Sequence, residues 1–188
     1  MDNGITFRQG TKDDAMFIAD TICEVMGTYT VYNREFADKI HKSVFESALI
    51  DNTLYNYNNA TIAEKDGNVI GLIISYPGLN YLGFRVHTFY KLFKDTGVDL
   101  TSNPLETVCG EYYLDSMMVL KEYRGQGIGA ELINKAVEKA KILGIKSVSF
   151  IVKESSNKLC DYYEKIGFCR NGKLDIFNDT YIRMNKPI

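Results

Sequence analysis

A glycine-rich turn is the part of the sequence best suited to bind an anion. It reads Arg-Gly-Gln-Gly-Ile-Gly-Ala and runs from Arg124 to Ala130. Apolar residues follow at helical spacing, so the turn is predicted to open an amphipathic helix; they are Ile128, Leu132, Ala136, Ala140 and Leu143. The first N–H groups of a helix lack partners and carry the positive end of its dipole, and glycine lets the backbone approach a ligand closely. Because Arg124 adds a charged donor, the segment predicts a site for a phosphorylated ligand.

Part of this turn also fits the dinucleotide-binding pattern. Gly125 to Ala130 reads Gly-x-Gly-x-x-Ala, and Glu154 ends the next strand-like run, where a ribose-binding acid would lie. That pattern begins directly after its strand, whereas five residues, Leu120 to Arg124, separate the strand-like run from the first glycine here. Too little chain follows Glu154 for a doubly wound domain, so we reject this interpretation.

A second interpretation explains more of the chain. The segment from Met117 to Gly129 contains Arg-x-x-Gly-x-Gly and resembles the acetyl-CoA-binding motif of the GNAT superfamily of N-acetyltransferases. Tyr162 to Phe168 reads Tyr-Tyr-Glu-Lys-Ile-Gly-Phe and resembles a helix ending of the same family. The matched region covers about a third of the chain. The resemblance implies an α/β (α+β) GNAT fold, in which a mixed, twisted sheet of six to seven strands carries helices on both faces.

The resemblance also implies how acetyl-CoA is held. The backbone of Met117 and Val119 would pair with the pantetheine arm, and an N–H near Met118 or Val119 would polarise the thioester carbonyl. The glycine turn would hold the pyrophosphate through Arg124, Gly125, Gln126, Gly127, Ile128, Gly129 and Ala130. Many members carry an asparagine seven residues before the motif tyrosine. Here Ser156 has that place and Asn157 follows it, so either side chain is the expected contact.

Acetyl transfer to an amine requires a base, because a primary amine is mostly protonated at pH 7. Asp115 and Glu111 are four residues apart on the predicted cofactor strand and share one face. Asp115 is nearer the expected acetyl position, whereas Glu111 is either a base or a group that binds the cationic substrate. Either carboxylate is otherwise an exposed strand residue.

Tyr163 matches the family's general acid, which protonates the departing thiolate. Its alternative role is structural, since it also belongs to an apolar helical stripe with Leu159, Tyr162 and Ile166. The sequence has no nucleophile–base pair and no cluster with metal-ligand spacing, so it predicts direct transfer without a metal.

The remaining pattern predicts the elements that position these residues. Strands are expected at Ile5–Arg8, in a hairpin of Ala60–Glu64 and Val69–Ser75, at Ser147–Lys153, and near Cys169–Phe177 and Thr180–Met184. Helices are expected after the N-cap residue Thr11, from Glu35 to Leu49, and from Asn157 to Ile166. Residues 79–110 are expected to form a long irregular connection with a short aromatic helix. Such a connection serves as an acceptor-site lid, a dimer contact or a satellite core.

Composition limits the functional classes. The 188 residues suit a single domain over 1–188, and a net charge of −2 argues against bulk binding of nucleic acid. No apolar run is long enough to span a membrane, no signal peptide is evident and the four cysteines lack CxxC spacing, so we expect a cytoplasmic protein. The expected partners are a small-molecule or peptide amine and, as in many family members, a second copy of the chain. The alternative is a catalytically idle acyl-CoA-binding or sensing module with the same fold.

Overall fold

A computed structural model of the chain describes residues 4–188. The first three residues of the predicted domain lie outside the described residues. One seven-stranded mixed sheet forms the centre of the molecule, in the order β1-β2-β3-β4-β5-β7-β6. Its strands are β1 (Ile5–Gln9), β2 (Ala60–Lys65), β3 (Asn68–Pro77), β4 (Tyr112–Val119), β5 (Ser147–Lys153), β6 (Cys169–Ile176) and β7 (Asp179–Pro187).

Six α-helices cover this sheet and confirm the predicted fold class. They are α1 (Ala15–Val25), α2 (Thr28–Val31), α3 (Arg34–Ala48), α4 (Gly78–Thr96), α5 (Ile128–Ile142) and α6 (Asn157–Lys165). Helix α3 packs against both α1 and α4, and α5 packs on β2, β3 and β4. Within residues 4–188, no helix is long and apolar enough to cross a membrane.

The predicted hairpin is present and joins β2 to β3. Asp66 and Gly67 have φ angles of 51° and 76°, the left-handed values that an Asp-Gly turn provides at low cost. The predicted cap at Thr11 is also confirmed, because Thr11 and Asp14 form a capping box around a short 3-10 turn that precedes α1.

Residues 79–110 are more regular than the sequence indicated, which corrects the prediction of a short aromatic helix. Helix α4 has 19 residues and follows β3 directly. Its inward face holds Tyr81, Arg85, Thr88, Phe89 and Leu92. Two of these buried side chains are polar, so they interrupt the apolar pattern that indicates a long helix. The irregular part of the connection is limited to residues 97–111.

The glycine turn opens α5 as predicted. The inward side chains of α5 are at most 3% exposed at Ile128, Leu132, Ala136 and Ala140. The predicted stripe is wrong at its last position, since the helix ends at Ile142 and Leu143 is its exposed C-cap. The buried stripe fixes the helix on the sheet, and the start of α5 therefore has a defined place next to β4.

Candidate functional site

The central sheet opens between β4 and β5. These parallel strands pair only at Tyr112 with Val148 and at Tyr113 with Ser149, and beyond these pairs they separate. A cavity of about 160 Å³ lies in the opening. Most of its lining comes from both strands and from α6, with Val25, Ile73 and Ile133 from elsewhere; the residues of the strands and α6 are Leu114, Asp115, Ser116, Met117, Phe150, Ile151, Val152, Leu159 and Tyr163. The opening is therefore bounded by candidate residues on both sides.

A β-bulge places Asp115 at this opening. Ile74 pairs with Ser116 and Ser75 pairs with Leu114, so Asp115 is the extra residue in β4. A bulge re-aims the side chains that follow it. Two residues further along β4, Met117 lies against the glycine turn, where its Cε is 3.6 Å from the position of a Cβ on Gly129. The same strand thus carries the predicted base and a residue that contacts the predicted phosphate-binding turn.

The glycine turn has the geometry of an anion site. Gly125 and Gly127 have φ angles of 77° and 81°, which glycine adopts without strain, and Gly127 is the N-cap of α5. Along α5, the first backbone N–H group that has a hydrogen-bond partner belongs to Glu131, which donates to the Gly127 carbonyl at 3.1 Å. Within the described chain, no partner is recorded for the N–H groups from Gly125 to Ala130. These donors can hold a phosphate without loss of an existing bond.

Arg124 fixes this turn on β4. Its Nε donates to the Val119 carbonyl at 2.9 Å, and the residue is exposed. This bond uses one of the five donors of the guanidinium, so the others remain available to an anion next to the turn. The predicted pantetheine segment, Met117 to Val119, ends at the residue that accepts this hydrogen bond. The bond consequently holds the end of β4 and the glycine turn together.

Tyr163 lies on the side of the cavity opposite β4. Its ring packs edge-on against Phe150, with ring centroids 4.4 Å apart, and the residue is 8% exposed. Burial raises the pKa of Tyr163 to about 12, so the hydroxyl keeps its proton at neutral pH. Its neighbour Tyr162 is 40% exposed and does not line the cavity. Of the two motif tyrosines, Tyr163 is the one that lines the cavity together with Asp115.

Asp115 has no basic partner among the described residues. Its carboxylate accepts hydrogen bonds from the hydroxyl of Tyr76 and, at 2.9 Å, from that of Ser116. Burial raises the pKa of Asp115, and the two hydroxyl donors lower it in part. A carboxylate with a raised pKa is a stronger base, so this environment suits proton transfer from a bound amine.

Glu111 has different surroundings. It precedes β4 by one residue, and its carboxylate accepts from Arg183, from Ser149 at 2.8 Å and from Thr107 at 2.9 Å. Despite the opposing effect of burial, the hydroxyl donors Ser149 and Thr107 and the charge of Arg183 lower the pKa of Glu111. The carboxylate oxygens of Glu111 are thus bonded to protein donors, whereas Asp115 lines the cavity.

A third carboxylate, Glu106, was missed by the sequence analysis. It lies in the irregular segment after α4 and accepts from the hydroxyl of Tyr81 at 3.2 Å and from that of Tyr113 at 2.9 Å. Burial and the nearby charge of Asp115 raise the pKa of Glu106 to about 7. No motif marks this residue, because only the fold brings its segment to the tyrosines of α4 and β4.

Ser156 and Asn157 lie at the start of α6. Ser156 is the partly exposed N-cap residue, and Asn157 is the exposed first residue of the helix. The carbonyl of Ser156 accepts from the N–H groups of Leu159 and Cys160, while neither of the two side chains has a recorded partner within residues 4–188. Both side chains are therefore free to meet a ligand, and the choice between them stays open.

Comparison with known proteins agrees with this geometry. The sequence profile described as the acetyltransferase (GNAT) family matches residues 24–168. The chain belongs to the GNAT acetyltransferase family. This GNAT chain is also 31% identical over 62 residues to N-alpha-acetyltransferase 30 from Schizosaccharomyces pombe, a match that covers 33% of the chain and 41% of that relative. The chain thus matches less than half the length of that relative.

Solved structures share the GNAT fold over nearly the whole chain. An N-acetyltransferase from Staphylococcus aureus is 21% identical with a TM-score of 0.80, and the match covers 96% of this chain and 99% of that one. A PaiA N-acetyltransferase from Thermoplasma acidophilum, in complex with coenzyme A, is 18% identical with a TM-score of 0.63, over 98% and 99% of the two chains. The predicted family and fold are confirmed, and GNAT homologues support an acetyltransferase activity.

Proposed function

We propose that this GNAT chain transfers the acetyl group of acetyl-CoA to a primary amine by direct attack. The observation that carries the proposal is the placement of Asp115 and Tyr163 along one cavity, in the opening between β4 and β5. One residue accepts a proton and the other holds one at neutral pH, so the opening contains both functions that amine acetylation requires. The glycine turn lies at the end of the same strand.

The unpaired N–H groups of the turn fit a pyrophosphate. The residues proposed to hold acetyl-CoA are those from Arg124 to Ala130, together with the backbone of Met117, Met118 and Val119 and one of Ser156 and Asn157. When bound, acetyl-CoA supplies an activated acetyl thioester. The chain's own residues then orient it, remove a proton from the amine and provide one to the departing sulfur.

Asp115 is the proposed base, and its pKa explains the choice over Glu111. The acceptor ammonium loses a proton to the Asp115 carboxylate, which leaves a lone pair on nitrogen for attack at the acetyl carbon. Glu111 is less basic because its oxygens are bonded to Arg183 and to hydroxyl donors. We assign Glu111 to holding Arg183 and the start of β4 in place.

Tyr163 is the proposed acid. As the bond between carbon and sulfur breaks, the hydroxyl of Tyr163 gives its proton to the thiolate, whereas Tyr162 is too exposed for this role. Neither cysteine nor histidine lines the cavity among the described residues, and the amine is proposed to attack the thioester itself, without an acetylated enzyme.

The test separates cofactor binding from transfer. Thermal unfolding is compared with acetyl-CoA, NAD and ATP, beside Arg124→Ala, and a ligand at about 100 times its Kd adds roughly 2.7 kcal/mol to the free energy of unfolding. A shift with acetyl-CoA alone, reduced in the variant, is expected. CoA release is then measured with a panel of primary amines. Binding without release from any amine would favour the idle acyl-CoA-binding module, and no acetyl-CoA shift would contradict both.

A further inference from the structure

Helix α4 carries a stripe of exposed apolar side chains along most of its length. Each of the five is between 51% and 73% exposed, and they are Leu79, Leu82, Val86, Tyr90 and Phe93. In a helix of 3.6 residues per turn, these positions fall within an arc of about 80° around the axis. The stripe is therefore one continuous apolar surface, and surfaces of this kind mark sites of interaction.

The other sides of α4 are already covered by the chain. The inward side buries Tyr81, Phe89 and Leu92. Another side faces α3, because Lys91 donates to the carboxylate of Glu46 in that helix at 2.6 Å. The stripe is the side of α4 that the rest of the described chain leaves exposed to solvent.

The spacing of the stripe is symmetric about Val86. Leu82 and Tyr90 lie four residues to either side of it, and Leu79 and Phe93 lie seven residues to either side. A two-fold axis through Val86 would therefore place Leu79 against Phe93 and Leu82 against Tyr90 of an antiparallel copy of the helix. Steps of three and four residues are those at which the apolar side chains of two helices interdigitate.

We propose that a second copy of this chain covers the stripe, in a two-fold dimer whose α4 helices pack antiparallel with Val86 on the axis. In such a dimer the same surface serves both partners, so it must complement itself. The stripe contains no charged side chain, and like charges therefore do not meet along it. The antiparallel arrangement also sets the positive end of each helix dipole beside the negative end of the other.

The size of the stripe suits a dimer contact. Burial of its five side chains on both copies removes on the order of 1,000 Å² of surface, near the lower limit of specific interfaces. Two further exposed apolar residues, Leu105 and Val108, lie in the segment that returns from the end of α4 to its start, where Gly78 lies against the Val108 carbonyl. They add apolar surface beside the helix, so the contact can exceed this minimum.

The dimer contact lies on the outer side of a layer that supports the candidate active site. On the inner side of α4, the ring of Tyr81 stacks on that of Tyr76 with centroids 6.2 Å apart, and Tyr76 donates to Asp115. Among the described residues that line the cavity, none belongs to the stripe. Substitutions in the stripe therefore test the dimer without removal of a residue from the proposed reaction.

The experiment measures the mass of the full chain in solution by sedimentation. The unchanged chain is expected to have twice the mass of one 21.3 kDa copy. Val86→Glu places two carboxylates opposite each other on the axis, and it is expected to weaken association about 100-fold or more. Ile142→Glu, at an exposed apolar residue near the end of α5, is the matched control and should stay dimeric. Thermal unfolding of both variants shows that they remain folded.

A mixture of two variants tests the position of the axis. Val86→Lys is expected to be monomeric alone, and an equal mixture of Val86→Lys with Val86→Glu should restore the dimer, because opposite charges then meet. A dimer unaffected by Val86→Glu, or a mixture that stays monomeric, would overturn the proposal. An unchanged chain that is monomeric up to about 100 μM would also overturn it and leave the stripe to a different protein.

Discussion

Arg183 Nη2 donates to both carboxylate oxygens of Glu111, at 2.9 and 2.8 Å. The same guanidinium donates from Nη1 to the carbonyl of Glu106 at 3.0 Å. This arginine therefore links β7 to the residue before β4 and to the segment that carries Glu106. Since one side chain serves both connections, the position of that segment depends on the pair between Arg183 and Glu111.

Glu111→Gln is expected to lower the free energy of unfolding by about 1–3 kcal/mol at pH 7, because the charged hydrogen bonds of Arg183 lose their partner. The pKa of Glu111 is lowered by folding, so its contribution is present above the ordinary value of 4.5 and is lost as the pH falls through the folded value. The free energies of unfolding of the two proteins are measured by urea unfolding at several pH values. The difference between these free energies should narrow below about pH 4.5, and a difference that stays constant with pH would contradict the prediction. Glu154→Gln, which breaks an exposed pair with Lys173, is the control.

Tyr163→Phe is expected to lower kcat by roughly 10- to 1000-fold with little change in acetyl-CoA affinity, because only the departing thiolate needs the hydroxyl. Steady-state CoA release and a binding titration measure the two quantities. Tyr162→Phe removes the hydroxyl of the exposed neighbour and should leave kcat within about twofold. Unchanged turnover in Tyr163→Phe would remove this residue from the reaction.

Tyr76→Phe is expected to move the acidic limb of the pH profile of kcat/KM to higher pH. The hydroxyl of Tyr76 stabilises the charged form of Asp115, so its removal raises the pKa of that carboxyl further. At pH values on the acidic limb, kcat/KM falls, while its plateau value at higher pH is unchanged. Tyr112→Phe is the matched control, since this buried hydroxyl bonds to Ser75 instead. A limb at the same pH in both variants would show that Asp115 is not the titrating base.

Gly127→Ala is expected to weaken acetyl-CoA binding by roughly tenfold, or 1.4 kcal/mol. At a φ of 81°, alanine is strained by about 1–2 kcal/mol, and relief of that strain displaces the turn. Gly97→Ala has the same strain at 78° in the C-cap of α4, away from the turn, and should lose stability alone. In both positions an added Cβ meets no protein atom within 4 Å. Equal affinities of the two variants for acetyl-CoA would exclude the turn as the phosphate site.

The sequence predicted the elements whose signals are local. The Asp66-Gly67 hairpin, the cap at Thr11 and the glycine turn each depend on a few neighbouring residues, and the structure has all three. Helix α4 was underestimated because Arg85 and Thr88 lie on its buried face, where they bond to carbonyls and to the Leu54 N–H. Burial of polar groups is decided by their partners, and those partners are distant in sequence.

The candidate site was also predictable only where its signals are local in the sequence. Asp115 and Tyr163 lie within motifs, and the fold brings both to one cavity. The bulge at Asp115 follows from the register between β3 and β4, which no single strand specifies. Glu106 depends on long-range packing of Tyr81 and Tyr113, so its environment arises only from the complete fold.

The separation of β4 from β5 beyond their two paired positions adds two partial inner edges to the two outer edges of the sheet. Edge strands normally invite pairing with other chains, and proteins protect them with charges, bulges or coverings. Here β1 and β6 form the outer edges, while the inner pair face each other across an opening that residues of α6 also line. Main-chain groups of these inner edges can thus stay unpaired inside the molecule, where the amides of a slender ligand would find partners.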